Sequence, residues 1–174
     1  MAALRTREVD PGKIILRTMT MDDIPDIMVI EHESFSLPWS EEAFRNELTL
    51  NHFARYLVME YDGGLIGYAG MWNIVDESHI TNIAIRMDYR GIHLGERLFK
   101  ALMDWAIELG MQRMTLEVRV SNIAAQSLYS KFGFYPAGTR KGYYSDNHED
   151  AMIMWCELPN QENETGEEEG SEED

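Results

Sequence analysis

Glu117 and Tyr129 are the two residues of this chain whose types and settings could move protons in a reaction. Glu117 lies inside an alternating run in which Met114, Leu116, Val118 and Val120 face one way and Thr115, Glu117 and Arg119 the other, the period of a β-strand. Glutamate is disfavoured in strand interiors, so its presence needs a reason. It is either solvent-facing or salt-bridged, with Arg119 as its partner, or a general base in a cleft whose pKa partial burial raises toward the working pH. Tyr129 shares a helical stripe with Ala125, Leu128 and Phe132. A tyrosine there can pack in the core with its hydroxyl satisfied, or stand at the mouth of a phosphate site as general acid to a leaving group. Asn122 reads as the N-cap of that helix, and its amide could also reach a ligand lying across the helix start.

Upstream, Arg90-Gly91-Ile92-His93-Leu94-Gly95 precedes a long amphipathic helix with Leu94, Leu98, Leu102, Trp105 and Leu109 on one stripe. Glycines just before a helix leave backbone N–H groups free to face an anion, and the helix dipole adds to the attraction, so this turn reads as a phosphate cradle. It lacks the Gly-Lys-Ser/Thr of a P-loop, and Gly91-x-x-x-Gly95 is not G-x-G-x-x-G. No G-x-S-x-G elbow is present. The five histidines, His32, His52, His79, His93 and His148, show no metal-ligand spacing, and no metal is expected. Cys156, the single cysteine, excludes an intramolecular disulfide and a cysteine-rich zinc site and fits a reduced cytoplasmic setting. Its place in the apolar run 151–156 makes it a packed strand residue rather than a nucleophile.

The elements that must position these residues follow from periodicity and punctuation. A loose leader over 1–12 ends in Asp10-Pro11-Gly12, and 14–16 reads as a short strand. Thr20 with Asp23 resembles a capping box before a helix carrying Ile24, Ile27, Met28 and Ile30. Ser40 caps a second helix running to about Leu50. Strands are expected over 54–61 and 65–74, joined at Asp62-Gly63-Gly64, then over 78–85, 113–120, 134–141 and 151–158. Gly133 ends the helix of Tyr129. The whole is an α/β sheet of mixed strand order with helices on both faces, one domain over 13–158.

Forty-four per cent of the 174 residues are apolar, ordinary for a globular protein, and nothing reaches the length of a membrane span. The net charge of −16 is uneven: residues 160–174 hold eight acidic side chains and no basic one, leaving 23 acidic against 15 basic elsewhere. A disordered, solvated acidic tail is expected over 159–174, serving solubility or attracting a basic partner. Overall acidity argues against nucleic-acid binding, which needs Lys and Arg to neutralise phosphates.

Several stretches together resemble the GNAT superfamily of acetyl-CoA-dependent N-acetyltransferases: Leu37-Pro38-Trp39-Ser40, Asn82-Ile83-Ala84-Ile85, the run Leu116 to Asn122, Ala125 through Tyr129, Phe132-Gly133-Phe134, Tyr143-Tyr144 and Glu149-Asp150-Ala151. Within the superfamily they are similar to the branch that acetylates the N-terminal alanine of a small-subunit ribosomal protein. The resemblance implies a GNAT-like, mostly antiparallel twisted sheet whose central strands splay to admit acetyl-CoA. Ile83, Ala84 and Ile85 would follow the pantetheine arm, Arg90, Gly91, Ile92, His93, Leu94 and Gly95 would wrap the pyrophosphate, and Asn122 would contact the coenzyme. Glu117 would accept the amine proton, Tyr129 would protonate the departing thiolate, and Leu37, Tyr143, Tyr144 and Glu149 would border the acceptor. The acceptor implied is a protein N-terminus; a small amine, a lysine side chain, or a non-catalytic acyl-CoA-binding role are the rival readings. His93 stands where the family's turn usually has glycine. Either it bears a positive φ at a cost of roughly 1 kcal/mol, or Gly91 re-routes the turn.

Overall fold

In the computed structural model residues 8–159 are described. The expected acidic tail beyond Pro159 and the first seven residues of the expected leader lie outside them. Residues 8–12 are attached to the body: Val9 packs against the core, Asp10 N donates to Tyr61 Oη at 3.2 Å, and Arg97 Nη1 donates to Pro11 O at 3.0 Å.

Seven strands form one sheet: β1 (Ile15–Thr18), β2 (Ala54–Tyr61), β3 (Gly64–Ile74), β4 (Glu77–Ile85), β5 (Arg113–Arg119), β6 (Tyr135–Arg140) and β7 (Ala151–Glu157), in the order β1-β2-β3-β4-β5-β7-β6. Every neighbouring pair is antiparallel except β4 with β5. The β2–β3 hairpin turns at Asp62 and Gly63, both at positive φ, the twist that suits a two-residue connection. Among the described residues four α-helices cover the sheet: α1 (Ile24–Ser34), α2 (Glu41–Thr49), α3 (Leu94–Glu108) and α4 (Ile123–Lys131). Ser40 caps α2 as expected, its Oγ accepting from Ala43 N at 3.1 Å.

The period-2 alternation of β2 sorts the core into two layers. Tyr56 and Val58 join Ile27, Ile30 and Phe44 under α1 and α2, whereas Leu57 and Met59 join Leu98, Phe99 and Leu102 of α3 on the other face. Gly70 makes the first layer possible: a Cβ there would lie 2.1 Å from the ring of Tyr56. The buried face of α3 is broader than the leucine stripe read from the sequence, taking in Phe99, Met103 and Ala106. Leu109 falls at the helix end and is 40% exposed, as is Val120, which lies past the end of β5.

The centre of the sheet is where the fold turns into a site. β4 and β5 pair only over Glu77–His79 with Arg113–Thr115, then separate. The cause is visible in β4, where Gly70 of β3 pairs with Asn82 and Met71 with Ile80, leaving Thr81 as an extra residue. Such a bulge bends its strand and sharpens its twist. The splay that the family resemblance implies is therefore present.

Candidate active site

Two hollows open along this splay. One, of about 510 Å³, is lined by Glu117 and Arg119 of β5, Leu37 of the α1–α2 loop, Asn122, and Tyr143 and Tyr144 of the loop between β6 and β7. The other, of about 710 Å³, runs beside Ile83, Ala84 and Ile85 to the turn Arg90–Gly95. Phe35, Ile83 and Tyr129 line both, so Tyr129 stands where the two meet.

The second hollow suits an anionic ligand. β4 beyond His79 has no ladder partner on the β5 side, and α3 begins at its far end, where the first N–H groups of a helix have no partner within it. The turn is left-handed at both Gly91 (φ +81°) and His93 (φ +64°). Gly91 thus does not spare the histidine, which caps α3 in a conformation more common for glycine or asparagine. Its side chain is 86% exposed, with Nδ1 3.5 Å from Glu96 Oε2. Arg90 braces the turn, donating from Nε to Ile85 O and from Nη2 to Ser34 Oγ, both at 2.9 Å. Ile92 points away from the hollow and packs on the core.

Asn122 is the N-cap of α4, its Oδ1 accepting from Ala125 N at 3.1 Å, and it lines the smaller hollow with Glu117 rather than the one beside Ile83–Ile85. Tyr129 packs against Phe99 with ring centroids 5.0 Å apart and planes tilted by 39°. Its hydroxyl has no hydrogen-bond partner among the described residues, and burial raises its pKa. A tyrosine kept protonated at a junction of two cavities can donate to a leaving group.

Glu117 corrects an expectation. Burial does raise its pKa, but the hydrogen bond from His79 and the charges of His79 and Arg140 outweigh it, so the net shift is downward rather than toward neutrality. Its partner is not Arg119: His79 Nε2 lies 2.6 Å from Glu117 Oε2, and Arg140 Nε 3.6 Å from Oε1. The carboxylate is only 10% exposed.

Arg119 instead ties loops. It donates to Asp146 Oδ2 at 2.8 Å and to Asn147 Oδ1 at 3.1 Å, lies 3.4 Å from Glu149 Oε1, and rests over the Tyr144 ring at 4.0 Å. Asp146 Oδ2 also accepts from Ser36 Oγ at 2.7 Å, joining the α1–α2 loop to the β6–β7 loop. Glu149 is occupied by Ser121 N at 2.8 Å and does not line the hollow, so it shapes the loop rather than facing an acceptor. Asp150 likewise accepts from Gly142 N at 2.8 Å. Burial pushes the Tyr144 hydroxyl up to about 12.

Sequence reasoning missed His79 and Ser36. His79 and Glu117 are 38 residues apart and meet only through the register of a parallel strand pair, for which no local pattern exists. Cys156 is buried in β7 with its thiol raised by burial, as its apolar run implies. Among the described residues no group of three or more His, Cys, Asp or Glu could hold a metal ion, and no helix is long and apolar enough to cross a membrane.

The acetyltransferase (GNAT) family model matches residues 24–134. A Bacillus subtilis protein provisionally assigned as a ribosomal protein bS18-alanine N-acetyltransferase is 50% identical over 146 residues, covering 84% of this chain and 97% of the relative. The Escherichia coli K12 ribosomal protein bS18-alanine N-acetyltransferase is 35% identical over 143 residues, covering 80% and 94%. The crystal structure of the Escherichia coli ribosomal-protein-S18-alanine N-acetyltransferase superposes with a TM-score of 0.79 at 30% identity, covering 91% of this chain and 99% of that one.

Proposed function

Because the chain belongs to the acetyltransferase (GNAT) family and is an acetyl-CoA-dependent N-acetyltransferase, we propose that its acceptor is the α-amine of a protein N-terminus, the alanine of ribosomal protein bS18, modified in the cytoplasm. The bond from Ser36 to Asp146 is the main support from geometry. It joins the two loops that wall the acceptor hollow, which favours a chain end entering lengthwise over a side chain presented from a folded surface.

In this reading acetyl-CoA lies along Ile83–Ile85 with its pyrophosphate at the start of α3, and its thioester reaches Tyr129. Glu117, ionised and sheltered, accepts the proton that the α-amine gives up as it attacks the thioester carbon. Tyr129 supplies the proton that the departing sulfur needs. Tyr143, Tyr144 and Leu37 border the acceptor's first residues.

The electrostatics favour an α-amine. With its pKa lowered, Glu117 is a weak base for a strongly protonated amine. At pH 7 about 10% of an α-amine but only about 0.04% of a lysine is already neutral, from ordinary pKa values near 8 and 10.4. An enzyme with this base does best with the amine that needs least deprotonation. The test is acetyl transfer to peptides that differ only at residue one, beside a peptide with a blocked N-terminus and an internal lysine. Alanine-first peptides should be preferred; preferential labelling of the lysine would overturn the assignment.

A further inference from the structure

His79 is the last residue of β4 to pair with β5, opposite Thr115. Glu117 lies two residues beyond, where the main chains have begun to separate. The side chains span the distance that the backbones no longer do, at 2.6 Å between Nε2 and Oε2. A ring nitrogen this close to an ionised carboxylate, which can only accept, must carry the hydrogen and donate. The ring is itself held, edge-on to Trp72 at a centroid distance of 6.2 Å, and the Trp72 Nε1 donates to Glu47 Oε2 at 2.7 Å. A chain of contacts therefore runs from α2 through Trp72 to His79 and ends on one oxygen of Glu117.

That oxygen is committed, and the other, Oε1, has the Arg140 guanidinium at 3.6 Å. The groups facing the carboxylate are His79 from β4, Arg140 from β6, and Tyr143 and Tyr144 from the β6–β7 loop, whose hydroxyl pKa values its charge helps to raise. Of these, His79 alone makes a short hydrogen bond with it.

We propose that His79 is a positioning residue for acetyl transfer, clamping Oε2 of Glu117 so that Oε1 is presented to the incoming amine in ionised form. This rests on the reading of Glu117 as the base. Its consequence is specific: removing the clamp leaves burial less opposed, so Glu117 takes up a proton at higher pH than before.

Wild type, His79→Leu, His79→Gln, Glu117→Gln and the His79→Leu/Glu117→Gln double variant are compared by pH profiles of kcat/KM for an alanine-first peptide and by the KM for acetyl-CoA. His79→Leu should lower kcat roughly 10- to 100-fold, the scale of a hydrogen bond to a charged group. It should move the acidic limb to higher pH and leave the acetyl-CoA KM within about twofold, since the hollow beside Ile83–Ile85 lies farther along β4. His79→Gln, whose amide can reach Oε2, should recover turnover and return the limb. The double variant should be no slower than Glu117→Gln alone, because the clamp has nothing left to hold. If His79→Leu does not fold, His79→Asn, polar but too short to reach Glu117, should show the same limb shift. An unmoved limb, or an acetyl-CoA KM that rises with the loss of turnover, would make His79 a staple of the strand junction and overturn the proposal. Wild-type rates in Glu117→Gln would overturn the base reading as well, whereas a slow Glu117→Gln beside an unshifted His79→Leu overturns the clamp alone.

Discussion

Ser36 Oγ donates to Asp146 Oδ2 at 2.7 Å across 110 residues of sequence, and Arg119 donates to the same oxygen from the other side at 2.8 Å. One carboxylate oxygen thus fixes the spacing of both loops around the acceptor hollow. Ser36→Ala removes one of the two donors without touching Arg119. We expect the peptide KM to rise about 3- to 10-fold, the worth of one modest hydrogen bond, with the acetyl-CoA KM unchanged and internal lysines accepted more readily. Competition between the two peptides, read by mass spectrometry, checks this.

Glu117→Gln and Tyr129→Phe should each lower kcat by about 10²- to 10⁴-fold, the range of general acid–base groups, while acetyl-CoA still raises the melting temperature. Because the Glu117 pKa is lowered, its limb of the profile should lie below the ordinary glutamate range. Between pH 6 and 8 the wild-type rate should instead climb with deprotonation of the acceptor amine. Replacing the peptide with one whose α-amine has a lower pKa should move that climb to lower pH; a climb that ignores the acceptor would mean that an enzyme group sets it.

His93→Gly isolates the left-handed turn. Where binding leaves His93 at its φ of +64°, relief of its strain acts on the free and bound protein alike and cancels from the binding constant. The gain of roughly 1 kcal/mol in the folded state is offset by the roughly 0.4–1 kcal/mol that a glycine adds to unfolded-chain entropy. Stability and acetyl-CoA affinity should therefore both change little, measured by thermal unfolding and calorimetry. A clear loss of affinity would mean that the imidazole, though 86% exposed, touches the coenzyme.

Asp23 is held in both oxygens by Arg17, at 2.8 and 2.7 Å, and its side chain is 8% exposed. The Arg17 hydrogen bonds outweigh burial and lower its pKa. A depressed folded-state pKa stabilises fully above the unfolded value of about 3.9 and loses that contribution as pH falls through the lower folded value. Asp23→Asn should cost about 2 kcal/mol at pH 7, and the gap to wild type in urea unfolding should narrow below about pH 4.

What could be read beforehand was whatever is local. The alternation of 113–119, the caps at Ser40 and Asn122, and the Asp62-Gly63 turn all depend on residues within a few positions of one another. The family resemblance implied joint roles for Glu117 and Tyr129, and the two line a common hollow. The partners of Glu117 were not legible. Arg119 is its same-face neighbour at i+2 and looked like the natural ion pair, but the end of β5 carries it into the β6–β7 loop, while β4 and β6 bring in His79 and Arg140. That substitution reversed the direction of the pKa shift.

The three-residue seam between β4 and β5 has a mechanical meaning. By comparison β5 and β7 share seven paired positions, so the ladder is shortest at its centre, where α3 adds side-chain packing shared by both wings. Leu98, Phe99 and Leu102 of the helix belong to one core cluster with Met59 and Ile66 of one wing and Met114 and Leu116 of the other. The helix is the keel of the molecule. Truncating Phe99 to alanine, worth about 3–5 kcal/mol in a packed core, should do more than lower the melting point. The wings should begin to melt separately, and a transition that is single in the wild type should broaden or split between a probe in β2 and one in β7.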